Sequence, residues 1–301
     1  MAPAGPLLER DDLTRAEALC RALGYEPALG PNTAEHHGYF AGTDDQRLAD
    51  LNGAIRDPRV DAIWCIRGGY GATRILEGVD FAALAGRPKP LIGYSDITAI
   101  LNAVAMRSGV VTFHAPMARA PMPSFSRRHF ERILTAAVPA GRLERLPEPV
   151  EVLLPRENRI ATLRGGVAEG PLLGGNLTLL QCLIGTPFWP DVDGAILFLE
   201  DVGEDLYRVD RMLAHLRMAG ALARLAGVAV GRFTELTRTM PDGALGFDEV
   251  LATYFLPLGI PVAYGFPIGH IDDQWTLPLG VRARLDAGAG ELELLEPAVS
   301  G

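Results

Sequence analysis

The chain has 301 residues, 48% hydrophobic and 22% charged, with a formal net charge of -9 at pH 7. That length allows about two domains with real cores, and an acidic balance without a basic cluster argues against a nucleic-acid partner. No apolar run approaches the ~20 residues of a membrane span, and Met1-Ala2-Pro3-Ala4-Gly5-Pro6 lacks the basic and apolar regions of a secretory signal. Cys20, Cys65 and Cys182 are widely spaced in apolar surroundings. They read as buried thiols in a reducing compartment, not as a disulfide frame or a zinc site, and a cytoplasmic location is expected.

Residues 11–23 carry apolar side chains at helical spacing, with Gly24 just past the end. Thr43-Asp44-Asp45-Gln46 is a capping-box pattern before a helix bearing Leu48, Leu51 and Ile55. Residues 60–66 read as a mostly buried strand running into Arg67-Gly68-Gly69-Tyr70-Gly71 and a helix near 72–76. Lys89-Pro90-Leu91-Ile92-Gly93-Tyr94-Ser95-Asp96 is a proline stop, a short strand and a tight Gly-x-Ser turn, followed by helical spacing at Ile97, Ile100, Leu101 and Val104. After Val110-Val111-Thr112-Phe113 comes one more amphipathic helix at 130–138. Strands thus alternate with helices through the first half, the signature of a parallel α/β sheet. Residues 139–164, rich in Pro, Glu and Arg, read as a link between two domains, 1–150 and 151–301. Beyond it, Gly174-Gly175-Asn176 precedes a helix, and Ala195-Ile196-Leu197-Phe198-Leu199 is a buried strand ending in Glu200-Asp201. A long helix follows, then short strands near 227–230 and 261–264. Residues 281–286 and 292–294 alternate apolar and polar around a turn, a terminal hairpin with one wet face.

The strand–turn–helix around Ser95 is the geometry of a nucleophile elbow, which needs an exposed hydroxyl beside helix-start N–H groups. Ile97 stands where the second glycine of Gly-x-Ser-x-Gly would be, and helix capping is the alternative role for Ser95. The Gly68-Gly69-Tyr70-Gly71 turn fails the dinucleotide fingerprint because Arg74 replaces its third glycine. It is either a tight turn or a nest of backbone N–H groups beside Ser95. Among six histidines, His129 and His215 fall on helix faces expected to be solvated, and His36-His37 lacks metal-ligand spacing. His114 follows a strand. His270 sits in the rigid loop Gly265-Phe266-Pro267-Ile268-Gly269-His270, where a general base is well held. Glu200 closes an apolar strand, where a carboxylate caps, pairs with an arginine such as Arg208 or Arg211, or orients a catalytic group. A nucleophile, an imidazole base and an orienting carboxylate are thus available in Ser95, His270 and Glu200.

These segments, together with Ala49-Asp50-Leu51-Asn52 and Phe113-His114-Ala115-Pro116, run almost end to end in an order that resembles the LD-carboxypeptidase family of serine peptidases. The resemblance implies Ser95 as nucleophile, Glu200 as orienting acid and His270 as base, with an oxyanion hole from the Gly68-Gly69 turn and the Asp96 N–H. It implies an α/β fold: an N-terminal parallel-sheet domain, a smaller C-terminal mixed domain, and the site in the cleft between them. The implied reaction removes terminal D-alanine from murein tetrapeptides, without metal or organic cofactor, in a homodimer. Tyr70, Asn176 and Arg208 are candidates for gripping substrate. The family normally runs an apolar strand into Ala-Pro-Ala-Gly; Met1 stands where that strand would end, so a gap at the sheet edge is expected. Two other readings are a hydrolase of aminoacyl-nucleotide antibiotics within the same family and a non-catalytic solute-binding module.

Overall fold

The computed structural model describes residues 1–147, 159–236 and 245–300. The first half contributes α1 (Asp12–Ala22), α2 (Asp44–Arg56), β1 (Ile63–Trp64), a 3-10 segment (Ala72–Gly78), α3 (Phe81–Gly86), β2 (Leu91–Gly93), α4 (Thr98–Ser108), β3 (Thr112–His114) and α5 (Ser124–Thr135). The second contributes β4 (Gly141–Arg142), β5 (Ala161–Arg164), β6 (Val167–Asn176), α6 (Leu177–Leu183), β7 (Ile196–Val202), α7 (Leu206–Met218), β8 (Gly227–Thr234), α8 (Phe247–Phe255), β9 (Val262–Tyr264), β10 (Leu277–Leu279), β11 (Arg282–Asp286) and β12 (Glu291–Leu294). Of the link expected over 139–164, residues 148–158 lie outside the described residues; its flanks form β4 and β5.

Local chemistry accounts for the boundaries. Thr43 and Gln46 form the expected capping box at α2, and Gly109 ends α4 at a left-handed φ of 68°. The strand expected over 60–66 is shorter: only Ile63–Trp64 is laddered, although the Cys65 N–H still reaches the Ile92 carbonyl. The helix expected at 130–138 lies earlier, at Ser124–Thr135, because Phe125, His129, Phe130 and Ile133 form its buried stripe. His129 is therefore a core residue, not a solvated one; its ring packs 4.6 Å from Phe125. The cysteines also differ from expectation. Cys65 is buried, Cys20 is half-buried and Cys182 is exposed.

Two sheets organise the described residues. In the first, β1, β2 and β3 are parallel and β10 pairs antiparallel with β3, Leu277 opposite His114. The second has the order β4-β12-β11-β6-β7-β8-β9-β5, parallel from β6 to β9 and antiparallel outside. It is the larger sheet, with eight strands against four, and the terminal hairpin of β11 and β12 extends it beside β6. One core joins both sheets, with Ile92, Phe113, Phe198, Phe266 and Leu277 among its fully or nearly buried members. A second core lies where α7 and α8 cover β7 and β8.

The units are also tied by polar contacts around α4. Thr98 Oγ1 accepts the Asn176 N–H at 3.1 Å, and Asn102 donates to the Gly174 carbonyl at 3.0 Å. At the free edge of β1, the Met1 amino group donates to the Trp64 carbonyl and its own carbonyl accepts the Ile66 N–H. A cavity of about 570 Å³ follows that edge between α1 and α5, lined by Met1, Cys20, Ile63, Trp64, Ile92 and Phe130 among others.

Candidate active site

β2 leaves the first sheet at Gly93 and turns sharply through Ser95–Ile97, a 3-10 turn, into α4. A side chain on Gly93 would begin 3.0 Å from Ile97 Cγ2, a tight contact, and Ile97 is fully buried. That packing explains why an isoleucine takes the place of the second glycine of the elbow pattern. Ser95 holds φ at 59°, one of two left-handed non-glycine residues described. A left-handed L-residue costs about 1–2 kcal/mol, and such strain concentrates where geometry serves chemistry. Ser95 is not a helix cap: no side-chain cap bond is present at either the turn or α4.

The glycine turn after β1 stands against this elbow. A side chain on Gly68 would begin 2.9 Å from Ser95 Cβ, 3.1 Å from its Oγ and 3.2 Å from the Asp96 nitrogen. Gly69 and Gly71 hold φ of 111° and 119°, and the Gly68 carbonyl accepts the Gly5 N–H at 3.0 Å. The turn is locked to the elbow by Asp96, whose carboxylate accepts the Ala72 N–H at 2.8 Å. Burial pushes the Asp96 carboxyl up to about 6, partly opposed by that backbone bond. Its folded pKa exceeds the ordinary carboxylate value, so its contribution to stability is full below pH ~4 and is lost as pH rises towards 6. Asp96→Asn keeps an oxygen for Ala72 and removes the buried charge. The variant is expected to exceed wild type in unfolding free energy by on the order of 2 kcal/mol at pH 7.5, and by little at pH 4. Urea unfolding at the two pH values checks this; an equal difference at both would show that Asp96 carries no buried-charge penalty.

Glu200 and His270 come from the second sheet. Glu200 lies near the end of β7, fully buried, and its Oε2 is 2.8 Å from His270 Nδ1. Gly269 allows that approach, because a Cβ there would stand 2.7 Å from the same oxygen; its φ is 115°. Burial raises the Glu200 pKa, opposed by the hydrogen bond to His270. A carboxylate on Nδ1 favours the tautomer that leaves Nε2 as acceptor. The imidazole faces the elbow through Tyr94, the residue before Ser95, whose ring centroid is 4.8 Å from that of His270. Thus the Gly68 turn is set against Ser95, and the Glu200–His270 pair stands beside Tyr94, the residue before it.

The other candidates fall differently. Asn176 is buried; its amide donates to Asp201 and its oxygen caps α6 at Leu179. Arg208 pairs with Glu204 and Asp205, not with Glu200, and lines a cleft of about 350 Å³ with Gln181, Arg211 and His215. His215 is accordingly half-buried, 2.8 Å from Gln181. Tyr70 is exposed. His114 lies beneath the site, its ring 5.7 Å from Tyr94 and 5.2 Å from Phe198, and burial drives it down to about 3, so it is neutral. Reading the sequence missed Tyr94 and Thr98 as site-builders; the only signal was their place within the elbow motif.

Comparison with known proteins identifies the family. The profile of the LD-carboxypeptidase N-terminal domain matches residues 1–115 and that of the C-terminal domain residues 169–285. A probable murein peptide carboxypeptidase of Bacillus subtilis is 37% identical over 100% of this chain and 91% of its own length. The microcin C7 self-immunity protein MccF of Escherichia coli is 28% identical over 92% of this chain and 86% of its own. The crystal structure of muramoyltetrapeptide carboxypeptidase from Oxalobacter formigenes superimposes with a TM-score of 0.83 at 34% identity, covering 98% of this chain and 97% of that one. The chain belongs to the LD-carboxypeptidase family and is a carboxypeptidase of the serine type.

Proposed function

We propose that this enzyme hydrolyses the bond between the L-centre of diaminopimelate and the terminal D-alanine of murein tetrapeptides. In this reading an N-terminal domain, residues 1–150, supplies Ser95, and a C-terminal domain, residues 151–301, supplies Glu200 and His270. The observation that carries it is the Glu200–His270 pair at 2.8 Å, set against the ring that precedes a strained serine. Ser95 Oγ attacks the carbonyl as His270 Nε2 takes its proton; Glu200 holds the tautomer and the imidazolium. The oxyanion is received by backbone N–H groups of Gly68-Gly69 and Asp96. His270 then protonates the departing D-alanine amine, and water repeats the sequence on the acyl-enzyme. A cytoplasmic location and a homodimeric assembly belong to the same proposal; among the described residues no helix is long and apolar enough to cross a membrane.

Incubation with tetrapeptide and with an aminoacyl-sulfamoyl adenosine, read by mass spectrometry, tests the substrate. Release of D-alanine is expected. Cleavage of the adenosine compound alone would instead favour the immunity-type reading, which the likeness to MccF supports. The oxyanion assignment has its own test. Gly68→Ala places a methyl 2.9 Å from Ser95 Cβ and close to its Oγ and the Asp96 nitrogen, so the elbow must shift and kcat is expected to fall at least ~100-fold. Near-native turnover in Gly68→Ala would remove that turn from the mechanism.

A further inference from the structure

Residues 265–276 carry His270 from one sheet to the other. They leave β9 of the second sheet and enter β10, which pairs with β3 of the first. No helix or strand lies within them, and Gly265 and Gly269 hold φ of 92° and 115°. Without a ladder, the course of such a loop rests on individual bonds to its backbone groups. The Arg232 N–H donates to the Ile268 carbonyl at 2.9 Å, the Ile271 N–H to that of Gly269 at 2.9 Å, and the Trp275 N–H to that of Pro267 at 2.7 Å. The Trp275 indole also donates to the Glu144 carbonyl at 2.7 Å.

The stretch just after His270 is gripped from the first half of the chain by one side chain. Ser126 of α5 is fully buried; its hydroxyl donates to the Asp272 carbonyl at 2.9 Å and accepts the Gln274 N–H at 2.9 Å. A hydroxyl can donate and accept together, so one atom fixes two backbone groups. A helical serine commonly turns back on neighbouring backbone, but this one reaches a segment 146 residues away. Its footing is firm. Phe125, His129, Phe130 and Ile133 bury the same helix, and Phe130 stacks on Trp64 of β1 with centroids 4.7 Å apart. The base, in turn, needs an external hold. Gly269 before it is a permissive backbone position, and its Nδ1 must stay 2.8 Å from Glu200.

We propose that Ser126 is a positioning residue for the reaction, clamping Asp272 and Gln274 so that the His270 ring stays against Glu200. This rests on the reading of His270 as the base. Ser126 is buried behind the loop and out of reach of substrate, so its loss acts on turnover and not on binding.

Ser126→Ala removes the clamp and little volume. The kcat for D-alanine release from tetrapeptide is expected to fall ~10–100-fold, as misplacing a catalytic group by about 1 Å can cost ~100-fold, with KM little changed. Ile133→Val trims the buried face of the same helix without touching the loop. It is expected to keep the native kcat at a lowered melting temperature. An equal fall of kcat in both variants would overturn the proposal, because the loss would then follow from the stability of α5. Proton NMR gives a readout free of turnover. The proton held between His270 Nδ1 and Glu200 is expected as a downfield resonance that is absent from His270→Ala. Its broadening or loss in Ser126→Ala, with persistence in Ile133→Val, supports the clamp even if the tetrapeptide is not cleaved, in which case only the reaction would be wrong. A resonance as sharp in Ser126→Ala as in wild type would overturn the clamp and leave the triad standing.

Discussion

Replacing Ser95 by alanine is expected to lower kcat at least ~10⁴-fold, and replacing it by glycine to do the same while leaving a more stable protein. Both substitutions delete the hydroxyl that attacks the carbonyl. They differ in the backbone: alanine must still hold φ near the 59° of Ser95, whereas glycine occupies that region without a Cβ clash. Relief of a left-handed residue is worth about 1 kcal/mol, a rise of roughly 2 °C in melting temperature for a chain of this size. Steady-state kinetics and thermal unfolding of the two variants side by side measure both effects. Native-like turnover by Ser95→Ala would identify another nucleophile, and a glycine variant less stable than the alanine one would show that the elbow is unstrained.

Glu200→Gln is expected to lower kcat by ~10³–10⁴-fold, with the fold retained. The carboxylate Oε2 lies 2.8 Å from His270 Nδ1, where it accepts the Nδ1 proton. A glutamine can turn its amide N–H to that nitrogen, which moves the ring proton to Nε2 and removes the lone pair that must receive the Ser95 proton. The defect therefore lies in the tautomer, not in the charge of the site alone. Because the three groups act as a unit, adding Glu200→Gln to His270→Ala should cost less than ~10-fold beyond His270→Ala alone. Multiplication of the two single effects would mean that Glu200 acts independently of His270. Nitrogen NMR of the imidazole supplies the direct check on the tautomer.

Much of this arrangement was legible from local pattern. The capping box at Thr43, the proline-bounded strand before Ser95 and the apolar run before Glu200 each carry their own structural signal, because caps, turns and buried strands depend on neighbours in sequence. Motif order carried Ser95, Glu200 and His270 as a set. Where reading failed, a distant partner decided. His129 looked solvated on its helix and is buried because Phe125 and Trp275 close over it. Arg208 looked available to Glu200 and instead meets acids within one helical turn.

The sequence by itself determined the α/β class, the elbow and which side chains have the chemistry to act, since periodicity, glycine placement and residue type are local properties. Only the tertiary structure decided that β10 crosses to the first sheet, that Gly68 presses on Ser95, and that Tyr39, far along the chain, stands beside Tyr70. Those contacts join residues separated by tens of positions. They exist because burying the apolar faces of two sheets in one continuous core fixes where the strand ends meet.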